Sequence, residues 1–181
     1  PNRDITFVNK GISGNSFSGV LGRFDWDITE HELTGDIDEA TICLGFNDLR
    51  PQLYIEGVDY DNLGNNLTDE VKKSVDSIQS RIDTYSVSCK QLVQLCKDKG
   101  ISLTLLTPIV YDHALVDARA ALELEASFDF PEDVNDNGLR RMTEEIYTIG
   151  KKYKLPVIDI DYETFKNREL IPFLYLIKAS W

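Results

Sequence analysis

Four short apolar runs, each followed by a segment of helical periodicity, constrain this chain more than any other feature. The runs are residues 5–8 (ITFV), 40–44 (ATICL), 101–106 (ISLTLL) and 156–160 (PVIDI). Each is near-continuously apolar or β-branched, as expected of strands covered on both faces. Between them, Phe17, Leu21, Phe24 and Ile28 recur at helical spacing behind Asn15 or Ser16, both good N-caps. A longer pattern runs through Val75, Ile78, Ile82, Tyr85, Cys89, Leu92 and Cys96 and stops at Lys97, Lys99 and Gly100. A third carries Leu139, Met142, Ile146, Ile149 and Tyr153 and ends before Pro156. Strands alternating with helices predict an α/β fold around a mainly parallel sheet with helices on both faces. Such sheets carry their sites at the C-terminal ends of the strands. That rule selects residues 9–16, 45–50, 107–112 and 161–166.

Charge narrows the function classes. The 181 residues hold 31 Asp+Glu against 19 Lys+Arg, a formal charge of −12. A nucleic-acid binder needs clustered Lys/Arg to release counterions, and no basic stripe occurs. An anionic membrane surface would repel the chain for the same reason. No apolar run approaches the ~18 residues of a membrane span. The length suits one domain, expected over residues 1–181. Three cysteines, Cys43, Cys89 and Cys96, match no zinc spacing. On one helix, Cys89 and Cys96 would stand about 10.5 Å apart along the axis, beyond disulfide reach. They read as small core residues in a reducing compartment, which favours the cytoplasm. No metal site or cofactor fingerprint is found.

Two site-side segments carry candidate chemistry. Residues 9–16, N-K-G-I-S-G-N-S, form a glycine-rich turn opening a helix. They contain neither a G-x-G-x-x-G fingerprint, a P-loop nor a G-x-S-x-G elbow. Alone this is a strand-to-helix turn, or a backbone cradle for an anion. Residues 45–48, G-F-N-D, place an amide side chain where it could aim an N–H at a developing oxyanion. Alone they are an Asn-Asp turn.

Taken together, strand, G-I-S-G-N, helix, strand, G-F-N-D resembles the second and third sequence blocks of the SGNH hydrolases, the GDSL lipase/acylhydrolase family. L-L-T-P-I at 105–109 and L-P-V-I-D-I at 155–160 are similar to that family's later strands, so the resemblance covers about residues 4–165. It implies a three-layer α/β/α fold and hydrolysis of a carboxylic ester, of lipase, esterase or acetylesterase type, without metal or cofactor. By motif position it implies an oxyanion hole at Gly14 and Asn47, and a small-molecule acyl or acetyl ester as partner. The G-D-S block with the family's serine does not occur in the sequence, and residues 167–181 hold no histidine for a D-x-x-H block. The expectation is a domain incomplete at both ends. The alternatives are a degenerate binding domain of the same fold, or an unrelated flavodoxin-like domain holding an anion at residues 9–16. Ser13, Ser16 and Ser18 flank the glycine turn, and His113 follows the third site-side loop beside Asp112. A local serine–histidine pair built from them is the lesser expectation, and His31 reads as a surface residue.

One further motif competes. Residues 133–144 fit the calcium-loop expression D-x-[DN]-x-[DN]-G-x₅-E in full. Pro131 interrupts the entering helix, however, and helical periodicity already begins at Leu139. The stretch therefore reads as an Asp/Asn capping turn rather than a calcium loop.

Overall fold

The structure is a computed structural model that describes residues 5–30, 37–109 and 134–160. Three strands pair in parallel in the order β1-β2-β3: β1 is Glu39–Cys43, β2 is Ser102–Leu106 and β3 is Val157–Ile158. The last three of the four apolar runs thus form a sheet, each within a residue or two of its expected limits except β3, which is shorter.

The helices follow from their caps. Helix α1, Phe17–Gly22, starts at Ser16, whose hydroxyl accepts the Gly19 N–H at 3.2 Å. Its expected continuation to Ile28 breaks at Arg23 and resumes as a π-helical turn over Trp26–Glu30. Helix α2, Phe46–Leu49, is a single turn. Helix α3, Asp69–Asp98, is capped by the Thr68 hydroxyl and carries Asp69 and Glu70 in its first turn, where carboxylates suit the helix dipole. It ends in a Schellman motif. Gly100 takes φ +73°, its N–H donates to the Lys97 carbonyl, and Ile101 N–H donates to Cys96 at 2.9 Å. Helix α4, Arg140–Tyr153, ends at Lys154 in left-handed backbone, before Pro156.

The core joins α3 and α4 to the sheet. Leu103 and Leu105 alternate inward from β2 and are buried with Ile78, Tyr85, Cys89 and Leu92 of α3 and Met142, Ile146 and Ile149 of α4. Helices α3 and α4 touch each other and β2, so they form one layer on one face of the sheet, and α1 packs on α3. The fold is therefore mixed α/β around a parallel sheet. Cys89 and Cys96 lie buried on α3 as free thiols, and burial pushes them up to about 12 and about 11.

Two expectations are corrected. Residues 5–8 form no strand: they pair with none of the three strands, and Ile5, Phe7 and Val8 are exposed, Phe7 at 89 %. A strand needs a neighbour's N–H and C=O groups, and apolar composition alone does not supply one. Residues 134–139, expected as a turn, are helical instead, and Asp133, which opens the motif, lies outside the described residues. Val134–Leu139 is itself a π-helical turn leading into α4, which begins without a side-chain cap. Asn137 is buried there, accepting from the Tyr54 hydroxyl at 3.0 Å and donating to Asp61 at 2.9 Å. Glu144 pairs with Arg140 one turn before it.

Candidate functional site

The 45–50 turn begins with a steric necessity. Gly45, at φ +148°, follows β1, and a Cβ there would lie 2.7 Å from Pro108 Cγ, in the segment leaving β2. The backbone after β1 therefore approaches the Pro108 ring as only glycine permits. The chain then enters α2, closed by Leu49 N–H to the Gly45 carbonyl at 2.9 Å. Leu49 is fully buried and anchors the turn.

Two adjacent side chains of this turn hold the 9–16 segment. Asn47 donates from Nδ2 to the Asn15 carbonyl at 3.1 Å. Asp48 accepts the Phe17 N–H on Oδ1 at 2.9 Å. Beneath them the Phe17 ring meets Tyr85 of α3 edge-on, with centroids 5.0 Å apart, and the Tyr85 hydroxyl donates to the Leu44 carbonyl at 3.3 Å. Gly14 lies in a turn closed by Asn15 N–H to Ile12 at 3.2 Å, and its φ of +77° suits the glycine position of a type II turn. Gly14 and Asn47, matched to the oxyanion positions by motif, thus line one cleft of about 520 Å³.

The cleft is polar. Ser16 and Ser18 line it, with their hydroxyl oxygens 3.0 Å apart, but Ser16 is already engaged as the α1 cap. Asp48 also lines it and is only 7 % exposed. Its Oδ2 meets no hydrogen-bond partner, and burial raises the carboxyl to about 6 against the opposing Phe17 N–H bond and Arg81. Arg50 and Arg81 line the same cleft. Arg50 closes the selected segment 45–50, whereas no local signal marked Arg81, which α3 delivers from far along the chain.

The ends of β2 and β3 are tied together nearby. Thr107, fully buried, accepts the Ile160 N–H at 2.9 Å and donates to Asp159 at 3.4 Å. The Tyr147 hydroxyl donates to Asp159 at 2.6 Å, a bond that pushes the phenol up to about 12. His31, Asp112 and His113 lie outside the described residues, as do residues 161–166. Among the described residues no group of three or more His, Cys, Asp or Glu is placed to hold a metal ion, and no helix is long and apolar enough to cross a membrane.

No protein-family model matches the sequence, and no curated relative resembles it.

Proposed function

We propose that the Gly14–Asn47 cleft is the oxyanion-binding half of an SGNH-type carboxylic ester hydrolase. The observation that carries this reading is the pinning of Asn47. One amide hydrogen is committed to the Asn15 carbonyl, which fixes the side chain beside the Gly14 turn. The second hydrogen remains available to another acceptor. An amide already oriented in this way loses little on meeting the oxyanion of a tetrahedral intermediate, and the Gly14 N–H is the second donor. In this reading the α/β/α layout and residue roles are those the family resemblance implies. The acyl ester is attacked by a serine of a G-D-S segment, which residues 1–181 do not contain.

Ester turnover tests it. The 181-residue chain should release no burst of nitrophenol from a short-chain nitrophenyl ester. Without a nucleophile, a triad enzyme keeps only about 10³–10⁴-fold over water. A polypeptide that also carries a G-D-S segment before residue 1 and a D-x-x-H segment after residue 181 should turn over. In it Asn47→Ala should lower kcat by roughly 10²–10³, the usual cost of one oxyanion donor. Indifference to Asn47→Ala removes the reading. A burst from the 181 residues alone replaces the external serine with a local one, and Ser16, Ser18 and His113 would be tested first.

A further inference from the structure

The cleft holds a charge arrangement that an oxyanion hole does not need. Five arginines fall among the described residues. Arg23 pairs with Asp27, Arg140 with Asp61 and Glu144, and Arg141 bonds Gln79. Arg50 and Arg81 make no hydrogen bond to a carboxylate among the described residues, and both line the Gly14–Asn47 cleft. In a chain of net charge −12, two arginines lining one concave site form a local reversal of sign. The single carboxylate lining the cleft with them is Asp48, whose Oδ2 is buried and unpartnered. That carboxylate is an acceptor and cannot receive an anionic oxygen; the two arginines are the donors at the cleft that an oxyanion would take. Arg50 is also held against its backbone preference, at φ +56° before Pro51, a position that glycine or asparagine would occupy more easily.

We propose that Arg50 and Arg81 clamp an oxyanion of the cleft's ligand, so that the acyl ester it takes carries a carboxylate or phosphate away from the scissile bond. This rests on the ester reading for the word "ester" only; the clamp itself is a binding site whether or not the cleft performs chemistry. Planar guanidinium forks suit both groups, through paired N–H bonds to two oxygens.

Calorimetric titration of the 181-residue chain at pH 7.5 and constant ionic strength tests the clamp without turnover. The probes are sulfate, acetate and the neutral isostere dimethyl sulfone. Sulfate or acetate should bind saturably, the preferred one showing whether the clamp suits a tetrahedral or a planar head, and dimethyl sulfone should not bind. Arg50→Gln and Arg81→Gln should each weaken the preferred anion about tenfold or more, the effect of losing a charge-assisted bond. Arg140→Gln, which removes an equal charge outside the cleft, should leave affinity unchanged. Unaltered melting of each variant confirms an intact fold, and Arg50→Lys and Arg81→Lys serve in place of any glutamine variant that melts early, with a loss expected because lysine cannot present a fork. The proposal is overturned by absence of saturable anion binding or by equal binding of dimethyl sulfone. It is equally overturned by insensitivity to either cleft arginine, or by an equal loss from Arg140→Gln. These outcomes are separate from ester turnover: intact anion binding with an inert Asn47→Ala would leave the clamp and remove the hydrolase.

Discussion

Asp48 shows what the sequence could and could not announce at the level of single residues. In G-F-N-D it reads as half of an Asn-Asp turn, and it does stand in a turn. Its burial, its bond to Phe17 N–H and its empty Oδ2 depend on α1 and α3 packing over it. Gly14 and Asn47 were singled out by motif and line one cleft, Asn47 just beyond the end of β1 and Gly14 in a turn that follows no strand. Arg81 was not legible, because only tertiary packing brings α3 to the cleft that Arg50, in the selected segment 45–50, also lines. The Asp48 carboxyl has a testable energetic consequence. Its folded value of about 6 lies above the ordinary 3.8, through burial, with Arg81 opposing and Tyr85 and Cys89 nearby in protonated form. Between these values the unfolded chain releases the proton and the folded one keeps it. Stability from this group is therefore full below pH 4 and lost as pH rises to 6, by about 3 kcal/mol at most. Asp48→Asn keeps an oxygen for Phe17 and cannot ionise. Its stability relative to the parent should rise by about 1–3 kcal/mol between pH 4.5 and 7.5 in urea denaturation. A gap independent of pH would mean that Asp48 titrates normally.

Among the elements, those whose signals are local were the easiest to read. Helix α3 carries its own cap at Thr68, its own stop at Gly100 and an apolar stripe between them. Helix α4 and the last three strands were likewise marked by periodicity and by Pro156. Residues 5–8 failed because a strand is a relation between segments, and their apolar composition says nothing of a neighbour. Residues 134–139 failed in the opposite sense, since Asp, Asn and Gly in sequence suggest a turn. Packing instead winds them into helix, with Gly138 against Leu49 and Tyr54, where a Cβ would come within 2.4 Å. Gly45 is the element-scale feature most open to test. Gly45→Ala combines a left-handed backbone with a collision at Pro108, whereas Gly57, at φ +76°, has nothing within 4 Å of an added Cβ. Gly57→Ala should cost about 1 kcal/mol from backbone strain alone. Gly45→Ala should cost more than about 2 kcal/mol, because the β1 and β2 exits must also part. Equal losses in thermal denaturation would mean that Pro108 yields freely.

Across the whole molecule, the parallel sheet and its layer of α3 and α4 agree with the α/β reading, and the cleft opens where β1 ends, as that class of fold requires. Its two sides differ in construction. One is Arg81, about 18 Å into a 30-residue helix whose buried face runs through Tyr85, Cys89 and Leu92. The other is made of short pieces: the Gly14 turn, held to α2 by the Asn47 and Asp48 side chains, the single turn α2 with its buried Leu49, and Arg50. The cleft resembles a vice with one fixed jaw and one sliding jaw. Amide hydrogen exchange should expose that asymmetry, since opening free energies differ between well-packed helices and lightly anchored turns. Amides of residues 82–92 should exchange only on global unfolding, and those of residues 11–16 and 50–55 far sooner. Adding sulfate should slow the second set and leave the first unchanged, so a ligand seated in the vice would be timed in its departure by the sliding jaw alone.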